Sequence, residues 1–329
     1  MKVTRRDFLN YCTGSAAALG LATTLGPLQK ALAASSGPPI IWIKGAGCTG
    51  CTVSLANRIA STAPVDLTDL LIHTIDLVYH PTLMGAAGSA AVQTLTNASA
   101  GKFILAVEGG IPTLYNGKTC TIYSQNGVDV TALAALQALA PKAAAVLSIG
   151  TCAAYGGMGA AAPNPTLIKS LSAATGVATI NIPGCPPHPD WIVWTIAQLL
   201  SGVTPALDSN RRPTTLYGQT VHSQCSRRNK AWATSLASTG LCNGNLGCKG
   251  RNTHADCPTR KWNNGVNWCV GTASSSGNGA DSLCQGCTEP GFPDLFAPLF
   301  STMNATPGGH NNRAIKPTCS SCHTNGRPD

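Results

Sequence analysis

Charge is what this sequence has least of. Of its 329 residues only 11% are Asp, Glu, Lys or Arg, whereas 43% are hydrophobic. That balance excludes a disordered chain or a charged binding tail. It also implies that a partner covers much of the surface, although abundant Ala and Gly would have the same effect. Acidic residues are the scarcest, 13 against 22 basic ones, and the net charge of +9 favours an anionic partner. No nucleic-acid motif is present and the basic residues are scattered, so nucleic acid is not expected. Internal repeats and long linkers are missing as well. The mild apolar run Ala16 to Leu28 is too short, and too rich in Gly and Thr, to make a good membrane span, so no transmembrane anchor of its own is expected.

What is present begins with an address. Arg5-Arg6-Asp7-Phe8-Leu9 precedes the apolar run, and Ala31-Leu32-Ala33 follows it as a small-residue cleavage site. Residues 1–33 therefore read as a twin-arginine export signal, with an uncleaved anchor as the alternative. Cys12 lies before the apolar run rather than after it, which argues against a lipoprotein site. The twin-arginine route carries folded proteins, as a cofactor assembled in the cytoplasm would require, and it leads to the periplasm.

Residues 34–205 alternate short apolar runs with Ala/Leu-rich stretches. Strands are expected at Ile40–Ile43, Leu71–Val78, Phe103–Val107, Ala144–Ile149 and Val177–Ile182. Helices are expected at Thr52–Ala60, Ala87–Thr96, Thr131–Ala140 and Leu167–Thr175. The alternation predicts an α/β fold with a parallel sheet, flavodoxin-like, whose cofactors sit beyond the carboxyl ends of the strands. Cys48, Cys152 and Cys185 each follow one of these runs. From residue 206 to 300 the periodicity fades while Cys, Asn, Gly, Arg and Trp crowd in. Such a stretch is expected to be irregular and to fold around inorganic clusters.

Fifteen cysteines in a chain able to build a core point to metal more than to a disulfide framework. Cys48-x-x-Cys51 alone is a weak signal, shared with redox and zinc sites. It gains weight beside Gly150-Thr-Cys152-Ala-Ala-Tyr-Gly-Gly157 and Pro183-Gly-Cys185-Pro-Pro-His-Pro-Asp-Trp191, where glycines let backbone approach a bulky group and prolines stiffen the loop. A second group is His222-x-x-Cys225 with Cys242-Asn-Gly-Asn-Leu-Gly-Cys248, which suits zinc or iron–sulfur. A third is Cys257-Pro, Trp268-Cys269 and Cys284-Gln-Gly-Cys287.

These blocks resemble the small, electron-transfer subunit of periplasmic nickel-iron hydrogenases, from Ile40 to about Phe296. The resemblance implies three iron–sulfur clusters. A proximal [4Fe–4S] cluster would lie on Cys48, Cys51, Cys152 and Cys185, with structural zinc as the alternative. A distal [4Fe–4S] cluster would lie on His222, Cys225, Cys242 and Cys248. Many relatives place proline at or beside Cys269 and carry a three-iron medial cluster on the equivalents of Cys257, Cys284 and Cys287. The fourth thiolate here implies a medial [4Fe–4S] cluster, as in the nickel-iron-selenium type; a free Cys269 beside a [3Fe–4S] cluster is the alternative. Hydrogen splitting would occur on a separate large subunit. This chain would relay electrons to an external acceptor such as a cytochrome, and no residue of its own would be catalytic. Gly47 and Val53 depart from the family, standing where many relatives are acidic. Gly50 and Gly157 occupy positions that are cysteine in oxygen-tolerant members.

The family's C-terminal membrane helix is not seen, and residues 301–329 end instead in Cys319-Ser-Ser-Cys322-His323. That is the attachment pattern of a c-type haem, with a Cys319–Cys322 disulfide as the alternative and Met303 and His310 as weak candidates for a sixth ligand. Cys120 reads as a buried thiol, His188 as a loop hydrogen-bonder and Glu108 as structural or partner-facing. Trp42, Trp191, Trp194, Trp262 and Trp268 read as packing around clusters or an interface. Two other functions fit less well. One is the cluster subunit of a related quinone oxidoreductase, which has adjacent cysteines at the first motif and no downstream cysteine-rich region. The other is an exported disulfide- or zinc-rich binding protein.

Overall fold

Apolar runs at regular intervals become strands because each can bury both faces. In the computed structural model, residues 37–235, 240–265, 268, 270, 282–297 and 299 are described. The strands are β1 Ile40–Lys44, β2 Leu77–Tyr79, β3 Ile104–Glu108, β4 Ile111–Pro112, β5 Thr121–Gln125, β6 Val128–Thr131, β7 Ala145–Ile149, β8 Ile168–Lys169 and β9 Ile180–Ile182. Five of them form one parallel sheet in the order β2-β1-β3-β7-β9. This is the flavodoxin-like order, which reverses direction between β1 and β3. Two antiparallel pairs, β4 with β8 and β5 with β6, sit outside it.

The helices are α1 Gly50–Ala56, α2 Leu67–His73, α3 Gly88–Ala98, α4 Ala132–Leu139, α5 Gly150–Tyr155, α6 Gly157–Ala160, α7 Leu171–Thr175 and α8 Pro189–Leu200. Alternate strand residues Ile41, Ile43, Leu105 and Val107 pack with Leu95, Leu136, Leu139 and Leu171 in one fully buried cluster. Burial of each such side chain contributes roughly 1.5–3 kcal/mol. Trp42, the residue of β1 between Ile41 and Ile43, stays out of that cluster and lies 5.1 Å from the His80 ring.

Two expected elements differ in kind over part of their length, and two in extent only: the helix expected at Thr52–Ala60 ends at Ala56, and the strand expected from Val177 starts at Ile180. The run Leu71–Val78 is a strand only from Leu77; residues 67–73 form α2 instead. Asp66 starts that helix by accepting the Asp69 amide, and of the apolar triplet Leu70-Leu71-Ile72 only Leu70 is buried. Asp66 is an N-cap, and the run has one buried side rather than two. The helix expected over Leu167–Thr175 starts at Leu171, where Ser170 caps it; Ile168 and Lys169 pair with β4.

The chain divides into two units between Thr214 and Thr215. Among the described residues, the second holds short turns of helix, Thr214–Tyr217 at the boundary, Val221–Gln224, Asn243–Leu246, Gly250–Asn252, Cys257–Arg260 and Asp294–Phe296. Phe292 and Phe296 make a small apolar cluster against Cys287. No helix among the described residues is long and apolar enough to cross a membrane. The expected export signal, Cys269, and the tail with Cys319, Cys322 and His323 lie outside the described residues.

Candidate metal centres

The first centre is built at the carboxyl edge of the parallel sheet. β1 leads into Cys48 and α1, which carries Cys51; β7 leads into α5, which carries Cys152; β9 leads into Cys185. Cross-bracing fixes these loops to one another. Thr151 donates its amide to the Gly184 carbonyl at 3.0 Å, and its hydroxyl accepts the Gly184 amide at 2.9 Å. The Ser54 hydroxyl donates to the Pro187 carbonyl at 2.6 Å, and Arg58 pairs with Asp190 at 2.9 Å. His188 sits in the loop after Cys185 and caps α8, its Nδ1 accepting the Asp190 amide.

The four thiols occupy one electrostatic neighbourhood. Burial pushes Cys51 far above the ordinary thiol range, and Glu108, Cys152, Cys48 and Cys185 each push further in the same direction. Cys152 is raised as well, chiefly by burial, against the amides of Gly159 and Met158, which donate to it. Cys48 and Cys185 are exposed. The backbone also leaves room for sulfur. A Cβ on Gly150, whose φ is +84°, would stand 2.5 Å from the Cys51 Sγ; one on Gly157, at φ +52°, would stand 2.9 Å from the Cys152 Sγ. Metal ligation requires the thiolate, so a metal bound by these thiols would displace their protons. The donor set and its cradle thus fit a thiolate-bound metal group.

Behind Cys51 lies a buried polar network that the sequence pattern does not reveal. Glu108, 2% exposed at the end of β3, accepts the Thr52 amide at 2.8 Å and the Thr52 hydroxyl at 2.9 Å. Thr52 Oγ1 also meets His80 Nε2 at 3.3 Å. The single hydroxyl proton of Thr52 already goes to Glu108, so His80 must donate through Nε2–H. His80 Nδ1 in turn accepts the amides of Thr82 and Leu83. The imidazole is therefore neutral, in agreement with a pKa lowered by burial to about 4. Burial raises the Glu108 carboxyl, while both Thr52 bonds and the Lys44 charge pull it back. Lys44 itself donates to Thr49. The available signal was the position of Glu108 at a strand's carboxyl end.

In the second unit His222 lies within, and Cys225 at the end of, the short helical turn Val221–Gln224, which Thr220 caps and the Val221 amide hangs on the Thr253 carbonyl at 2.7 Å. Cys242 pairs with Trp232 by a parallel bridge. His222, Trp232, Cys242, Gly244, Cys248 and Arg251 line one pocket. Burial raises Cys225 to about 11, with Cys248 and Cys242 adding to the rise; the Arg227 amide and charge oppose it. The Cys248 sulfur accepts the amides of Gly250 and Cys284.

Of the third set, Cys257 opens the turn Cys257–Arg260, which is braced by an Asp256–Arg260 ion pair at 2.6 Å. Its segment is tied to that of Cys287: the Thr288 hydroxyl donates to the His254 carbonyl at 3.0 Å, and Glu289 accepts the His254 amide at 2.6 Å. Cys284 is buried. Cys120 is half-buried against the sheet's apolar cluster and belongs to no set. Among the described residues no three His, Cys, Asp or Glu side chains close to the spacing of a single bound ion.

Comparison with known proteins gives two family matches. The family described as NADH ubiquinone oxidoreductase, 20 Kd subunit, matches residues 48–199. The family of the C-terminal part of NiFe/NiFeSe hydrogenase small subunits matches residues 217–300. The periplasmic [NiFeSe] hydrogenase small subunit of Desulfomicrobium baculatum is 36% identical, over 91% of this chain and 99% of that one. The periplasmic [NiFe] hydrogenase small subunit of Solidesulfovibrio fructosivorans is 38% identical, over 91% and 93%. The solved recombinant [NiFeSe] hydrogenase of Desulfovibrio vulgaris Hildenborough superposes with a TM-score of 0.73 at 38% identity, covering 82% of this chain and 99% of that one.

Proposed function

Because the chain belongs to the small subunits of nickel-iron and nickel-iron-selenium hydrogenases, we propose a specific ligand assignment for its electron relay. At the coarser level, it is the periplasmic iron–sulfur electron-transfer subunit of a hydrogenase, partnered by a large subunit that activates H2. At the finer level, Cys48, Cys51, Cys152 and Cys185 hold a proximal [4Fe–4S] cluster. His222, Cys225, Cys242 and Cys248 hold a distal one. Cys257, Cys269, Cys284 and Cys287 hold a medial [4Fe–4S] cluster, which would be a three-iron cluster were Cys269 free.

The observation that carries this reading is the proximal set, four thiols on three loops of one sheet edge that act electrostatically on one another. The family's iron–sulfur chemistry favours a multi-iron group over structural zinc at these thiols. When bound, an iron–sulfur cluster supplies one-electron storage at a potential set by its ligands, hydrogen bonds and nearby charge. The chain's own contribution is to place those determinants. The Gly159 and Met158 amides donate to Cys152, the Gly250 and Cys284 amides to Cys248, and Arg227 sets a positive charge beside Cys225. His222 replaces a thiolate by a neutral ligand, which makes the distal site less negative and suits it as the electron exit.

Export by the twin-arginine route, a cytochrome as acceptor, and a c-type haem on Cys319, Cys322 and His323 complete the reading. Iron and sulfide analysis of the purified heterodimer tests the ligand sets. Cys185→Ala and Cys242→Ala should each abolish one cluster's signal and spare the others; an unchanged iron count in either variant overturns that set. A strong three-iron signal in anaerobically prepared protein would overturn the four-iron medial assignment. Mass spectrometry of the denatured C-terminal peptide decides the haem, and free thiols or a plain disulfide there would exclude it.

A further inference from the structure

Between Thr215 and Ala255 the chain carries no Asp or Glu, against Arg227, Arg228, Lys230, Lys249 and Arg251. The fold gathers these cations at the His222 end. Arg251 lines the same pocket as His222 and Trp232. The Arg228 guanidinium donates to the Ser223 carbonyl, one residue from His222, at 3.4 Å. Lys230 is exposed two residues further on, its amide bonded to the Arg227 carbonyl. Arg227 and Lys249 are buried beneath, beside Cys225 and Cys248. The acidic residues described elsewhere in this unit are Asp256, Glu289 and Asp294; the first two are engaged by Arg260 and His254. Among the described residues, the charged groups given for this edge are thus of one sign.

We propose that this basic edge is the docking surface for an acidic electron-carrier protein. The inference rests on the reading of His222, Cys225, Cys242 and Cys248 as the distal ligands. Charge complementarity selects the occupant. A second copy of this chain would present the same cations and be repelled, and the chain's own tail has Arg313, Lys316 and Arg327 against a single acid, Asp329. A fixed field of one sign raises encounter rates with an opposite partner by ~10–1,000-fold at low salt and loses that gain as salt screens it. The electron balance is simple: H2 oxidised on the large subunit yields two protons and two electrons. Each electron leaving beside His222 reduces the carrier's oxidised centre by one unit, and the protons do not follow.

The test uses the intact heterodimer and a single c-type cytochrome in two forms, native with its lysines cationic and succinylated with them anionic. H2-driven reduction is followed against ionic strength, with an uncharged quinone dye as control. The acidic form should be preferred at least about tenfold in kcat/KM at low salt, and the preference should collapse at high salt. Arg228→Glu with Lys230→Glu should abolish the preference while dye reduction and iron content stay unchanged. Preference for the native basic form, or a rate indifferent to salt, would overturn the proposal. So would salt-sensitive binding to anionic lipid vesicles without carrier preference, which would mark the edge as membrane-facing. Failure of the ligand reading itself would appear separately, as an iron content unchanged by Cys242→Ala.

Discussion

A hydroxyl group shared by two buried ionisable side chains makes Thr52 the most exposed point of the proximal region to substitution. Thr52→Val keeps the shape but leaves Glu108 without one donor and His80 without its acceptor. The expected cost is about 1–3 kcal/mol, read as a lower unfolding temperature of the complex. His80 supplies a pH signature. Its pKa is about 4 in the folded protein against an ordinary 6.5, so the native state holds it neutral while the unfolded chain takes up a proton. Its contribution is complete above pH 6.5 and declines as pH falls toward 4, by up to about 3 kcal/mol. His80→Gln, which retains an N–H donor, should narrow the difference in unfolding temperature between about pH 7 and about pH 5. A difference as wide as in the wild type would refute the neutral Nε2–H tautomer. None of this was legible in the sequence, because Thr52 and His80 meet only through the fold and neither belongs to a ligand spacing.

Elements are where sequence and structure agree most, and the disagreements have a common cause. The strands at Ile40, Ile104 and Ala145 were legible because both their faces are buried, so apolar continuity alone marks them. Leu70-Leu71-Ile72 has the same continuity but only one buried member, and its Asp66 cap was the cue that distinguished helix from strand. Cysteine placement was legible because strand ends define the sheet's binding edge, whereas the bracing of those loops by Thr151, Ser54 and Arg58 was not. Turns at that edge are correspondingly intolerant. Gly150→Ala forces a Cβ into a left-handed position 2.5 Å from the Cys51 sulfur. We expect loss of about one cluster's iron, with the medial and distal signals kept. Gly127→Ala, also at positive φ but facing open space, should cost only local strain and leave iron content intact, which separates sulfur crowding from backbone effects.

At the scale of the whole molecule, the two units owe their order to different forces. Residues up to Thr214 contain a five-stranded sheet with a continuous apolar core, so hydrophobic burial can hold that unit without metal. Beyond it, the described residues form helical turns of three or four residues with dispersed buried side chains such as Leu216, Val221 and Leu283, which leave less to offset the ordering of the chain. Buried Arg227 and Lys249 add a cost that ligand thiolates would offset. Metal removal should therefore divide the molecule. After iron is stripped with chelator and oxidant, trypsin should cut rapidly at Arg227, Arg228, Lys230, Lys249 and Arg251. Cleavage at Lys44, held at the end of β1 between β2 and β3, should lag far behind. Time-resolved mass spectrometry of the fragments reads the order of cuts. Simultaneous loss of both units would mean that the sheet, too, depends on its cluster; a resistant second unit would mean that its turns fold without one. The first outcome is opposed by the sheet's burial, the second by the shortness of the helical turns described past Thr214.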